Sequence, residues 1–126
     1  MIYPNIDRKK TEERTEKILL LISELFEMRA FTLKESINIQ NKNLNELLIV
    51  NIDTEYKDIT YKILKSMNYL NWTQKYIIYN RFIKNISLSD IKLGNHCEIA
   101  ISNVYIHYHQ TLFDLALLNA ELIVYK

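Results

Sequence analysis

Glycine and proline are almost missing from this chain of 126 residues, which holds one of each. Strand-rich folds connect their strands through many tight turns, and those turns draw on these two residue types. Pro4 precedes every periodic segment and interrupts none of them. The sequence therefore predicts an all-α fold of a few long helices, and its length predicts a single domain with at most a small appendage.

Cysteine, long apolar runs and excess charge are scarce as well. One cysteine, Cys97, allows no internal disulfide and fits a reducing compartment. The stretch 1–10 lacks the apolar core of a signal peptide, and the apolar stretches at 18–23 and 116–120 are too short to span a bilayer. These features predict a cytoplasmic protein with no membrane partner. The net charge of +1 argues against a strongly electrostatic nucleic-acid binder.

The first half of the chain predicts one long helix and a connector. Asp7 is expected to cap a helix that runs to about Ala30. Its apolar residues recur at steps of three and four and form one stripe: Ile18, Leu21, Ile22, Leu25 and Met28. Residues 31–52 lose this rhythm and are predicted to connect, with a short helix at 44–50. The expected organisation is an N-terminal helix at 1–30, a connector at 31–52 and a helix-turn-helix domain at 53–126.

The second half predicts four helices, at about 54–67, 74–84, 88–97 and 101–120. Their expected caps are Asp53 or Thr54, then Thr73, then Ser87 with Asp90 three residues on. Their expected inward residues are Tyr56, Ile59, Ile63 and Met67 in the first of them, and Tyr76, Ile77, Phe82 and Ile83 in the second. Trp72, directly before Thr73, is expected to pack against the helix that follows.

The stretch 89–112 has the pattern of a helix-turn-helix. Such a motif needs apolar residues where its helices touch and a small residue where the second helix crosses the first. Gly94, the only glycine, falls at that small position. The expected contact residues are Leu93, Cys97, Ile99, Val104, Tyr108, Thr111 and Leu112. The alternative interpretation is that Gly94 ends a helix and two ordinary core helices follow.

Several segments together resemble region four of sigma factors and, more closely, the ArpU-like family of phage transcriptional regulators of Gram-positive bacteria. The opening of that family is similar to Ile6-Asp7 followed by Lys9-Lys10-Thr11. Its central helix is similar to Asp53, Ile63-Leu64-Lys65 and Met67-Asn68-Tyr69-Leu70. Its loop spacing, recognition helix and ending are similar to Arg81-Phe82-Ile83 with Ser89-Asp90, Val104-Tyr105, Thr111-Leu112, Leu115-Ala116 and Val124-Tyr125-Lys126. The likeness covers most of the chain except roughly 31–50.

The resemblance implies a C-terminal bundle like sigma region four, with a recognition helix in the major groove of double-stranded DNA. The implied base-reading residues are Ile101, Ser102, Asn103, Tyr105, Ile106 and His109. An Asn side chain can pair with adenine there, and Ile can touch a thymine methyl. The implied phosphate contacts are Lys75, Arg81, Lys84 and Lys92.

Three features depart from the family pattern. Ala100 stands where the family usually has a small Ser, and Glu98 stands where it has Gly. The chain has no Lys or Arg between Lys92 and Lys126, whereas sigma-like recognition helices are commonly basic. These departures affect the expectation of DNA binding more than the expectation of the fold.

Other arrangements point to no catalytic or metal chemistry. His107 and His109 lie two apart on a predicted helix, so they cannot chelate one ion together, and neither His96 nor Cys97 completes a zinc site. No cofactor is expected, and no enzymatic activity. The basic cluster at the start of the chain is either a solvated helix end or a second phosphate-binding surface: Arg8, Lys9, Lys10, Arg14 and Lys17.

The sequence and its resemblance therefore predict a sequence-specific DNA-binding regulator of phage or prophage genes. The resemblance implies an activator of late genes, for packaging or lysis, that contacts RNA polymerase in a bacterial host. A homodimer is expected, because the apolar stripe of the first helix must pack on the C-terminal half or on a second copy. The alternative is a protein-binding module on a helix-turn-helix scaffold that modulates a host or phage protein.

Overall fold

The computed structural model describes residues 5–28, 32–33, 47–48, 54–94 and 103–126, of which 32–33, 47–48, 54–57 and 92–94 are described by their backbone alone. Its α-helices are α1 (Arg8–Glu27), α2 (Thr54–Ser66), α3 (Trp72–Ile78), α4 (Leu88–Gly94) and α5 (Asn103–Leu118). The predicted all-α fold is confirmed. Most of the residues between α1 and α2 lie outside the described part of the chain.

Two short strands within the predicted connector pair with each other. Strand β1 (Thr32–Leu33) and strand β2 (Leu47–Leu48) form a two-residue antiparallel ladder. The short helix predicted over 44–50 is therefore wrong at Leu47 and Leu48, whose backbone is extended. An isolated helix of two turns is marginal in water, and pairing with a distant strand satisfies the same backbone groups.

Helix α1 begins where the sequence predicts, and four of the five predicted stripe residues face the core: Ile22 and Leu25 are buried, and Ile18 and Leu21 pack against it. The Asp7 side chain accepts a hydrogen bond from the Lys10 backbone nitrogen at 3.1 Å, as expected of a helix cap. The buried residues of α1 are Thr11, Thr15, Leu19, Ile22, Ser23 and Leu25. Met28, placed in the predicted stripe, lies beyond the helix and is 76% exposed. The stripe is wrong there, and it omitted Leu19.

Two buried threonines explain why the apolar pattern missed the first part of the inward face of α1. Thr15 donates its hydroxyl to the Thr11 backbone oxygen at 3.0 Å. Thr11 Oγ1 accepts a hydrogen bond from the Val124 nitrogen at 2.9 Å. Because both hydroxyls are paired, these polar residues can occupy core positions at little cost.

The two ends of the described chain lie side by side. Ile6 and Tyr125 form an isolated antiparallel bridge. The Asp7 nitrogen donates to the Val124 oxygen, and the Lys126 nitrogen donates to the Asn5 oxygen, both at 2.8 Å. The opening and ending segments of the family resemblance are therefore partners in this fold.

The helices share one hydrophobic core. Leu19 and Ile22 of α1 are buried together with Ile63 of α2, Ile77 of α3 and Leu115 of α5. Helix α1 packs along α5. It also contacts the π-helical turn Tyr79–Ile83 and the 3-10 turn Ala120–Leu122 that follows α5. The sequence predicts that the apolar face of α1 packs either on the C-terminal half of the chain or on a second copy. In the structure it packs on the C-terminal half. The division at 1–30, 31–52 and 53–126 stays a prediction.

Helix α2 buries the predicted residues Ile63 and Met67, and Leu64 as well. Thr54 is its first residue, whereas Asp53 lies outside the described residues. A 3-10 turn, Met67–Tyr69, ends it. Asn119, just after α5, donates to the Ser66 hydroxyl at 2.9 Å and so ties the end of α5 to α2.

The cap of helix α3 lies two residues before the predicted one. Asn71, and not Thr73, is the cap: its side chain accepts from the Gln74 nitrogen, and the Gln74 side chain accepts from the Asn71 nitrogen. Trp72 is consequently the first helical residue, and its ring stacks on Tyr76 one turn later at 5.1 Å between centroids. A π-helical turn, Tyr79–Ile83, follows the helix.

Replacing Asn71 with Ala should lower the free energy of unfolding by about 1 kcal/mol, because the Gln74 backbone N–H loses the side-chain oxygen that accepts its hydrogen bond. Replacing Thr73 with Ala is the matched control and should change stability by much less. Urea unfolding followed by circular dichroism measures both. An equal or larger loss for the Thr73 variant would return the cap to the position that the sequence predicts.

Helix α4 is capped as predicted, since the Asp90 nitrogen donates to Ser87 Oγ at 3.2 Å. The chain reaches it through Asn85, whose φ of 56° is a left-handed conformation that Asn tolerates. Ile91 of α4 is buried in the same core as Val104 of α5. The predicted turn and its contacts at Cys97 and Ile99 lie outside the described residues, and of Leu93 and Gly94 the backbone alone is described.

Candidate nucleic-acid interface

Helix α5 has an inward face and an exposed face, as a recognition helix requires. Val104, Tyr108 and Leu112 are buried. On the other side, Ile106 is 65% and Tyr105 40% exposed, and Asn103 is exposed as well. The predicted base-reading residues Asn103, Tyr105, Ile106 and His109 therefore lie on the surface. Ile101 and Ser102 lie outside the described residues.

Tyr105 connects the first half of α5 to α4. Its hydroxyl lies 3.3 Å from that of Ser89. This contact joins the two helices of the candidate motif on their exposed side.

Tyr108 secures the middle of α5 from the inside. Its ring stacks on Phe82 with the centroids 6.2 Å apart. Its hydroxyl donates a hydrogen bond to the Glu16 carboxylate of α1. Burial, together with the neighbouring carboxylate, raises the pKa of Tyr108 well above its usual range. Tyr108 is therefore a neutral donor, and Glu16 is held against α5.

His109 faces solvent but contacts α1. Its Nδ1 atom lies 2.9 Å from Glu12 Oε1, and the imidazole is 58% exposed. The other oxygen of Glu12 accepts from Arg8 Nε at 2.9 Å. The predicted base-reading position at His109 is therefore bordered by a carboxylate, in contrast to Asn103 and Ile106 in the first turn of the helix.

A chain of side-chain hydrogen bonds holds α5 between α1 and α3. Arg8 donates to Gln110 Oε1 at 2.8 Å, and Gln110 Nε2 donates to Asp114 Oδ1 at 2.8 Å. Gln74 Nε2 donates to Asp114 Oδ2 at 2.7 Å. Gln74 also belongs to the capping box of α3. Helix α5 is thus anchored on both sides in its second half, and its first half projects free of this network.

The four predicted phosphate contacts lie at different levels of α5. Lys75 follows Gln74, whose side chain donates a hydrogen bond to Asp114 near the end of α5. At the helical rise per residue, Asp114 is about 16 Å from Asn103 along the axis of α5, so Lys75 lies at the far end from the predicted base-reading residues. Arg81 lies beside the middle of α5, near Tyr108. Lys84 is exposed, with its ammonium 5.9 Å from the Tyr79 ring centre. Of Lys92 the structure describes the backbone alone.

The basic cluster at the start of α1 divides between two sides of the helix. Arg8 turns toward α5, where its guanidinium lies 4.5 Å from the centre of the Phe113 ring. Lys10, Arg14 and Lys17 are exposed. At 3.6 residues per turn they fall on the side of α1 away from Glu12 and Glu16. A phosphate-binding surface there would be separate from the exposed face of α5.

Other kinds of site find no support in the described part of the chain. No group of three His, Cys, Asp or Glu side chains there is arranged to hold a metal ion; His96 and Cys97 lie outside it. No helix among the described residues is both long enough and apolar enough to cross a membrane.

That Glu12 and Glu16 border α5 was not predicted from the sequence. The apolar stripe identifies Ile22 and Leu25 as inward residues but does not identify the polar side chains on the flank of the buried face. The usable signal was the spacing of Thr11, Thr15 and Leu19, which sets both glutamates on the flank of the buried face.

Comparison of the chain with protein-family models, with curated proteins and with solved structures finds no match.

Proposed function

We propose that this protein is a sequence-specific DNA-binding transcriptional regulator. The observation that carries the proposal is the exposed first half of α5, where Asn103, Tyr105 and Ile106 project from a helix whose other face is fixed in the core. A rigid helix with exposed polar and apolar side chains at its start is what major-groove reading requires. The preceding helix α4, capped at Ser87, would be the supporting helix.

Base reading would rest on few side chains. Asn103 can make paired hydrogen bonds to adenine, and Ile106 can touch a thymine methyl. Tyr105, tied to Ser89, shapes the surface between them. Because α5 carries no Lys or Arg, phosphate contacts must come from residues outside this helix. The candidates are Lys84, which precedes α4, and Lys92, which lies within α4.

The resemblance to ArpU-like regulators supplies the finer proposal. It points to a phage or prophage protein in a bacterial cytoplasm that activates late genes together with RNA polymerase. A homodimer would double the reading surface, as many helix-turn-helix proteins require. The buried stripe of α1 no longer argues for that dimer, because Leu19 and Ile22 pack within one chain.

Footprinting on the intergenic DNA that neighbours the gene tests this proposal. A protected site should appear at micromolar protein or below in low salt. We expect a shallow slope of log affinity against log salt, on the order of two to four phosphate contacts per protomer at roughly −0.9 each. If no specific complex forms at low salt on any neighbouring segment, the DNA-reading proposal is wrong.

A second candidate is a protein-binding module on the same scaffold. The observation that favours it is the neutral, aromatic and apolar character of the exposed patch formed by Tyr105 and Ile106. Aromatic residues are enriched at protein interfaces, and charged residues are depleted from their centres. Affinity capture with the full chain, compared between the parent and Ile106→Glu, tests this candidate. A partner retained by the parent and lost by the variant, in the absence of DNA binding, would support it.

A further inference from the structure

Two glutamates of α1 meet the recognition helix directly. Glu12 lies 2.9 Å from His109, and Glu16 accepts the hydrogen bond of the Tyr108 hydroxyl. A third, Glu27, accepts from Asn85 in the loop before α4 at 3.1 Å. The edge of α1 that borders α5 is thus lined with carboxylates, beside a surface that we propose to approach an anionic polymer.

One of these carboxylates neutralises a cation that would otherwise be available to phosphate. Glu12 pairs with Arg8 at 2.9 Å, which also reaches Gln110 on α5. Glu16 is held by the Tyr108 hydroxyl and pairs with no cation among the described residues, so its charge adds to that edge. Of the four remaining cations of the cluster, Lys9 lies on the same side of α1 as Glu12 and Glu16, whereas Lys10, Arg14 and Lys17 lie on the other side.

We infer that Glu12 and Glu16 are specificity-determining residues of the proposed DNA interface: the Glu12 carboxylate holds Arg8 away from phosphate, and both carboxylates repel the DNA backbone beside α5. This inference rests on the proposed function. Like charges across an interface weaken the binding of a wrong partner more than that of the right partner, because the right partner also gains directional contacts. The sequence-independent part of DNA binding is electrostatic, so it loses the most.

The effect on specific and nonspecific complexes should differ. On its proper site the protein is fixed in register by base contacts, and phosphates cannot shift toward a released arginine. On random DNA the protein is free to shift, so that an unpaired Arg8 gains a phosphate and the backbone moves closer where a carboxylate has been removed. Removing either carboxylate should therefore raise nonspecific affinity and lower the ratio of specific to nonspecific binding.

The variants Glu12→Gln and Glu16→Gln test this, because Gln keeps the size and the hydrogen-bonding oxygen but loses the charge. Glu13→Gln is the matched control: it removes the same charge from an exposed residue of the same helix that bonds nothing on α5. Tyr108→Phe is a second control, since it removes the hydrogen bond to Glu16 while the carboxylate remains.

Fluorescence anisotropy with a random-sequence duplex and with the footprinted duplex, at several salt concentrations, gives the readout. We expect nonspecific affinity to rise about threefold to tenfold for Glu12→Gln and Glu16→Gln at low salt, and specific affinity by less than about twofold. Glu13→Gln should change either affinity by less than about twofold, within the range of a screened surface charge. Tyr108→Phe should not raise nonspecific affinity.

Two results would overturn the inference while leaving the proposed function intact. One is an unchanged nonspecific affinity in both glutamine variants. The other is an equal rise in Glu13→Gln, which would show an effect of total charge and not of position. If the parent and all variants fail to bind either duplex, the proposed function itself is wrong, and the inference falls with it.

Discussion

Replacing Leu19 with Ala is expected to lower the free energy of unfolding by about 2–5 kcal/mol. The Leu19 side chain is 1% exposed and lies in the core that joins α1 to the helices of the second half. Truncation leaves a cavity between them that a well-packed core cannot close. Because the core is shared, urea unfolding should remain one transition, with circular dichroism and Trp72 fluorescence giving the same midpoint.

The adjacent Leu20 provides the control for this prediction. It belongs to the same helix and is 40% exposed, so Leu20→Ala should change stability by much less. If Leu19→Ala shifted only a minor early transition and left a second one unchanged, α1 would be a separate unit. The division at residue 30 would then hold, and the shared core would not act cooperatively.

Helix positions followed from local signals that the sequence carries plainly. Asp7 and Ser87 cap their helices as predicted, because each offers a side-chain oxygen to a backbone donor three residues on. Asn71 was missed in favour of Thr73, although Asn71 and Gln74 form the complete capping box and Thr73 does not. The capping rule identified the cap correctly where a single candidate residue preceded the helix. It failed where two candidates, Asn71 and Thr73, lay close together.

Packing directions could be predicted less well, because they depend on partners distant in the chain. Thr11 and Thr15 are buried since Val124, at the other end of the sequence, supplies a backbone nitrogen to Thr11 Oγ1. No periodicity in α1 alone reveals that partner. The ladder between β1 and β2 depends in the same way on a contact between separated segments.

The candidate site shows the same contrast. That Val104 and Tyr108 point inward, and Asn103 and Ile106 outward, followed from the spacing of residues within α5. That His109 would meet Glu12, and Tyr108 would meet Glu16, depended on which side of α1 packs against α5. The charge around the proposed interface therefore depends on the fold, and it cannot be predicted from the residues of α5 alone.

The most direct consequence for function concerns Asn103. Replacing it with Ala should weaken binding to the footprinted site by about 1–3 kcal/mol, because a paired hydrogen bond to a base edge is lost. Binding to random DNA should stay nearly unchanged, since that binding draws on phosphate contacts and not on base edges. Anisotropy titrations with both duplexes, at one salt concentration, measure the two affinities together.

A matched pair of aliphatic variants shows where on α5 the reading takes place. Ile106 and Leu118 are both exposed, the first near the start of α5 and the second at its end. Ile106→Ala should lower affinity for the specific site, whereas Leu118→Ala should not. If Asn103→Ala and Ile106→Ala leave specific affinity intact while Lys84→Ala abolishes it, sequence is read elsewhere on the protein. The exposed face of α5 would then be free to serve the protein-binding role.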